Sequence, residues 1–121
     1  MDERDPCTEA ILGAAFEVSN GLGTGFLERV YEGAMLIELQ LRGLKVEQQV
    51  RYPVNYKGKQ VGNYVADLVV ENTVVVELKC VECLGPVHTA QCINHLRASG
   101  LKVGLLINFQ RPKVEWKRFR L

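Results

Sequence analysis

The chain has 121 residues, 47% of them hydrophobic and 24% charged. That size and balance suit one globular domain over residues 1–121 with a core of its own, and exclude a disordered chain. Apolar runs such as those at 74–76 and 105–107 are far short of a membrane span, and no apolar stretch follows the acidic start at 1–5 as a secretory signal would. The formal net charge of +1 averages two unlike parts. Residues 1–40 hold eight acids and two bases, while residues 41–121 hold thirteen bases and six acids. Such asymmetry raises the question of a polyanionic partner.

The first helix is expected over about 7–19, with Thr8 as N-cap and Ile11, Leu12, Ala15, Phe16 and Val18 as its apolar stripe. The glycines at 21, 23 and 25 break it. They follow a helix rather than a strand and lack the lysine-hydroxyl pair of a phosphate loop, so they read as a helix–helix turn. A second helix is expected over about 26–41, its apolar face being Leu27, Val30, Tyr31, Ala34, Ile37 and Leu41, with Gly43 as its stop. After Gly43 the pattern alternates. Strands are expected at about 45–56, 60–70 and 73–79, joined by turns at 57–59 and 71–73. Gly85-Pro86 opens a third helix that Gly100 closes. A doubly buried strand follows at 101–109, and an edge strand at 114–121. The order ααβββαβ(β) predicts a mixed α/β fold in which the helix-linked strands run parallel.

The segment 66–79 carries the chemistry. With a three-residue loop at 71–73, Val70 faces Val74 and Asp67 lands opposite Glu77. Like charges facing each other across a ladder are destabilising, and a divalent cation would offset the repulsion. Lys79 projects from the same face as Glu77. Two carboxylates beside an ammonium can hold Mg²⁺, which keeps waters and binds phosphate oxygens, while the lysine orients a water or stabilises charge on phosphorus. The same spacing also suits an amphipathic hairpin with a solvated polar face. Against that, Val74, Val76 and Leu78 line one face while Val75 shares the other with Glu77 and Lys79, which implies burial on both sides.

Asp67…Glu77-Leu78-Lys79 resembles the signature of the PD-(D/E)XK nucleases, and the element order resembles their restriction-endonuclease-like core. Gly25-Phe26-Leu27-Glu28-Arg29-Val30-Tyr31 is similar to the motif that names the GxxExxY family within that superfamily. The resemblance spans nearly the whole chain. It implies a Mg²⁺- or Mn²⁺-dependent nuclease acting on DNA, or secondarily RNA. Asp67 and Glu77 would be metal ligands, Glu28 a further acid at the metal, Lys79 the catalytic lysine, and Gln91 a helix residue that helps orient the site. The position before Asp67 is Ala66 rather than proline, and His95 stands where a tyrosine often follows the glutamine. Apart from the resemblance, Glu28 near a helix start also suits capping, and Tyr31 suits the core as well as substrate contact.

Three further features compete. Cys80-Val81-Glu82-Cys83 with His88, Cys92 and His95 could form a structural zinc site, although the spacing matches no standard finger. Free thiols in a reducing cytoplasm are the plainer reading. The tail 111–121 mixes Lys117, Arg118 and other bases with Trp116 and Phe119, as nucleic-acid contact or a protected edge strand would require. Tyr31, His95, Lys117 and Arg118 are thus candidate nucleic-acid contacts. A non-catalytic binding module on the same fold is the alternative function. The domain is expected in the cytoplasm, without a membrane partner, as a homodimer or within a larger system.

Overall fold

A computed structural model of the protein describes residues 5–121. Helix α1 covers Pro6–Leu22. The Asp5 carboxylate accepts the Thr8 N–H at 2.7 Å, and Pro6 takes the first helical position, where a missing N–H costs nothing. Asp5 is therefore the cap, while Thr8 is a buried first-turn residue. Both residues have cap chemistry, and the proline decides which position begins the helix. The helix runs on through Gly21 and ends where Gly23 adopts φ +72°.

Helix α2 is Glu28–Leu41 and starts two residues later than expected. Its buried residues are Tyr31, Met35 and Leu39, spaced four apart. Most of the expected stripe faces outward: Leu27 is 73% exposed, Ile37 61% and Leu41 76%, and Val30 is exposed as well. Two apolar stripes coexist on this helix, and periodicity weighs them alike. Tyr31 and Ala34 of the expected stripe do meet the core, and docking continues the face to Met35 and Leu39; the Tyr31 ring stacks on Phe109 at 4.7 Å between centroids. Phe16 on α1 is likewise exposed rather than buried.

The strands are β1 (Val46–Tyr56), β2 (Lys59–Val70), β3 (Val74–Lys79), β4 (Val103–Asn108) and β5 (Glu115–Arg120), in spatial order β1-β2-β3-β4-β5. All neighbours are antiparallel except β3 and β4. Helix α3, Pro86–Ser99, joins that parallel pair. The mixed α/β architecture agrees with the expected order, and the last element is a true edge strand.

Helices α1 and α2 share one core with Leu68, Val70, Val74, Val76, Leu78, Leu105 and Ile107. Leu96 of α3 packs on the other face with Val69, Val75, Tyr64 and Ala66. The two central strands are thus covered on both sides, and every residue of β4 is buried. Gly104 lets α3 approach: a Cβ there would stand 3.1 Å from Cys92 Sγ and 3.2 Å from Leu96 Cδ1. At the start of α3 the Gly85 N–H donates to His88 Nδ1 at 2.9 Å, and Gly100 ends the helix at φ +75°.

One irregularity positions the site. Leu68 and Val70 face the α1/α2 core, whereas Tyr64 and Ala66, of the same parity on the strand, face α3. The change of face falls at Asp67. The β1–β2 ladder skips this level, where Gln49 takes φ +54°.

Candidate active site

Val70 pairs with Val74, so the turn at 71–73 has the expected length. The β2–β3 ladder ends at Leu68 and Val76, one step short of Asp67 and Glu77. Beyond that point the strands are joined through a side chain. Asp67 Oδ2 accepts the Leu78 N–H at 2.8 Å, which fixes one carboxylate against the backbone between Glu77 and Lys79. Glu28, at the first turn of α2, accepts the Cys80 N–H at 3.1 Å through Oε2. It lies at the first helical position, where its charge also complements the helix dipole, and the N-cap residue Leu27 makes no side-chain cap bond. Its carboxylate braces the chain just beyond Lys79.

Glu28, Asp67, Glu77 and Lys79 all line one cleft of about 930 Å³. Its walls are the β1–β2 hairpin, through Pro53, Val54, Asn55 and Asn63, and α3, through Asn94, His95, Arg97 and Ala98. His95 stacks on Tyr64 at 3.4 Å between centroids and 14° between planes, and Tyr64 in turn stacks on Tyr52. His95 Nδ1 stands 3.4 Å from Glu77 Oε2. That is an electrostatic approach without hydrogen-bond alignment, so both atoms are buried and unsatisfied.

Burial pushes the Asp67 carboxyl up; the Leu78 N–H and Lys79 oppose this, while Glu28 and Glu32 add to it. Burial also pushes Glu77 up, with His95 and Lys79 pulling the other way. Both acids are therefore ones that a nearby cation would stabilise. The donor set is hard oxygen: Glu77 lines the cleft, and its Oε2 is buried without a hydrogen-bond partner. Two carboxylates suffice for Mg²⁺, which retains several waters. Asp67 and Glu77 fit a divalent cation as a pair, whereas among the described residues no three His, Cys, Asp or Glu side chains are gathered closely enough to hold a metal ion together.

The cysteines form no such group either. Cys80 Sγ contacts the Phe26 carbonyl, Cys83 is exposed, and Cys92 lies on the buried face of α3 with its thiol pushed up to about 12 by burial. His88 is engaged in the α3 cap. The zinc reading is set aside for the described residues, since Cys80 is held toward α2 and Cys92 toward Gly104.

Gln91 is exposed on α3 one turn before His95 and does not line the cleft. Tyr31 is fully buried, its hydroxyl donating to the Gly23 carbonyl at 2.7 Å, and has no surface to offer a substrate. Arg118 turns its guanidinium toward Asp5 at 3.6 Å. Lys117 is exposed on β5, two strands from β3, and does not line the cleft.

Asn108 escaped the sequence reading. It is fully buried at the end of β4 and clasps the loop that follows Lys79. Its Oδ1 accepts the Val81 N–H at 3.0 Å, and its amide donates to the Val81 carbonyl at 2.8 Å and to Glu115 at 3.0 Å. These bonds, first that from Asn108, hold the Glu115 carboxyl below its usual range. The available signal was a lone amide at the end of an apolar strand.

A mixed five-stranded sheet with an Asp, a Glu and a Lys gathered where its central hairpin splays defines a restriction-endonuclease-like fold. The family model of the PD-(D/E)XK nuclease superfamily matches residues 5–119, and the chain belongs to that superfamily. Among solved structures it is similar to SSO0001, with TM-score 0.59 and 17% identity over 76% of this chain. The matched region spans 48% of SSO0001, about half its length. It is also similar to an alkaline exonuclease, LHK-Exo, from Laribacter hongkongensis, with TM-score 0.51 and 12% identity over 93% of this chain and 81% of that one. No protein of curated function matches the sequence.

Proposed function

We propose that the protein is a Mg²⁺- or Mn²⁺-dependent nuclease that hydrolyses phosphodiester bonds in DNA. The observation that carries this reading is the Asp67–Leu78 hydrogen bond, which brings Asp67 level with Glu77 and Lys79 in one cleft. Asp67 and Glu77 would hold the cation, which supplies Lewis-acid polarisation of the phosphate and acidifies a bound water. Lys79, on the same wall, orients the attacking water and offsets negative charge developing on phosphorus. Glu28 supports the site from α2, one oxygen bracing Cys80. Gln91, exposed on α3 outside the cleft, takes no part in this reading.

Membership of the narrower GxxExxY family is part of the proposal. Its three motif residues have distinct duties that support it. Gly25 takes φ +103°, which side chains disfavour; Glu28 holds the chain after Lys79; and Tyr31 pins the glycine turn to the core.

The test is cleavage of single-stranded, duplex and branched DNA, and of RNA, with Mg²⁺ or Mn²⁺ against EDTA. Metal-dependent cleavage should fall by at least about a thousandfold in Asp67→Asn, Glu77→Gln and Lys79→Met, in line with loss of a principal electrostatic group. Full activity in any two of these variants would refute the assignment.

A further inference from the structure

The β1–β2 hairpin extends beyond the body of the sheet. β3 pairs with β2 only at Leu68–Val70, and α3 covers Tyr52 and Tyr64, but residues 53–63 are all exposed. At strand rise this arm reaches about 15 Å past the last covered pair. Its base forms a cleft wall through Pro53, Asn55 and Asn63. A bulge at the Val54/Asn55 level, where Val54 pairs with Gly62 and Asn55 with Gln60, adds a local bend.

The tip carries chemistry that the fold does not require. Tyr56 pairs with Lys59, leaving Lys57-Gly58 as a two-residue turn with φ +50° and +79°. Asn-Gly or Asp-Gly is the sequence that such a turn favours. A lysine at a left-handed position strains the backbone. Departures of this kind from the local rule are expected where function requires them. Neither Lys57 nor Lys59 forms an ion pair with another described residue; the Lys57 ammonium lies 5.4 Å over the Tyr56 ring, which is itself 63% exposed.

We propose that this hairpin is a phosphate-gripping arm, in which Lys57 and Lys59 at the tip hold the DNA backbone where it leaves the cleft. The cleft floor sets three acids, Glu28, Asp67 and Glu77, against the one ammonium of Lys79, so further positive charge for a polyanion must come from its margins. Arg97 supplies it on the α3 wall and the two lysines on the hairpin side. Tyr56 offers a ring for stacking beside them. This assignment rests on the nuclease reading for the identity of its partner, and its test is separable from cleavage.

The experiment is fluorescence anisotropy of a labelled DNA duplex in EDTA across a salt series, with wild type, Lys57→Asn and Lys57→Asn/Lys59→Gln. Asn suits the left-handed turn position, so Lys57→Asn should keep or raise Tm while weakening binding. Each lost phosphate contact should lower the slope of log K against log salt by about 0.9. The double variant should bind about tenfold more weakly at physiological salt. Hydrolysis of bis(p-nitrophenyl) phosphate, too small to reach the arm, should be unchanged. Unaltered affinity and slope in the double variant would overturn the proposal, as would a change of oligomeric state with DNA binding intact. If wild type cleaves nothing with either metal but binding still depends on the lysines, the nuclease reading fails and the arm stands.

Discussion

The Asp67 carboxylate occupies the place of a backbone carbonyl: it accepts the Leu78 N–H at 2.8 Å one step after the β2–β3 ladder stops. One side chain thus satisfies the backbone of the neighbouring strand and presents a charge to the cleft. The site and the sheet are coupled at this bond, so substitutions here separate structural from chemical effects.

Asp67→Ala should lose both. Removing the acceptor leaves the Leu78 N–H short of a partner, which costs about 1–3 kcal/mol. Asp67→Asn keeps an acceptor oxygen and should unfold within about 0.5 kcal/mol of wild type, yet be as inactive as the alanine variant. Urea melts and a cleavage assay run on both variants provide the check.

Glu77 is 6% exposed, and burial disfavours its charge. Glu77→Gln should therefore be at least as stable as wild type in EDTA at neutral pH. Millimolar Mg²⁺ should raise the wild-type Tm by mass action and leave that of Glu77→Gln unmoved. Differential scanning fluorimetry with and without metal tests this, and an equal Mg²⁺ shift in both proteins would remove Glu77 from the metal site.

Tyr31→Phe distinguishes a core role from substrate contact. It removes the hydroxyl that donates to Gly23 and accepts from the Phe26 N–H at 3.4 Å. A loss of about 1–2 kcal/mol is expected with KM for DNA unchanged. A raised KM at unchanged Tm would return Tyr31 to the substrate surface.

Gly104→Ala should destabilise by about 1–3 kcal/mol, because the added methyl meets Cys92 and Leu96 within a packed layer. Pushing α3 outward also displaces His95 from Tyr64 and Glu77, so cleavage should fall further than stability alone explains. Activity measured well below the Tm of the variant isolates that second effect.

Asp5 gives a pH signature of the fold. The Thr8 N–H, aided by Arg118, holds its carboxyl below the ordinary 3.8. A depressed folded pKa stabilises above the unfolded value, and the contribution disappears as pH falls through the folded one. Asp5→Ala should cost about 1 kcal/mol at neutral pH. The difference from wild type should hold down to the ordinary carboxylate pKa and shrink below it. Asp5→Asn should keep the cap and lose this pH dependence. Denaturant melts from neutral to strongly acid pH measure both.

The sequence by itself determined the element order, the parallel β3–β4 pair and the grouping of Asp67, Glu77 and Lys79. Those follow from period changes, turn length and alternation, which are local rules. The buried face of α2 was legible only at Tyr31 and Ala34, because apolar residues surround much of the helix; docking of Tyr31 on Phe109 and the Gly23 carbonyl turns Met35 and Leu39 inward and Leu27, Ile37 and Leu41 outward. The turning of Arg118 toward Asp5, the cap of α1, is a tertiary contact between that cap and β5. Tertiary structure also decided that Glu28 braces Cys80, that Asn108 clasps the loop after Lys79, and that Lys117 stands apart from the cleft. Each of these joins residues far apart in the chain, where spacing carries no information and burial selects the partner.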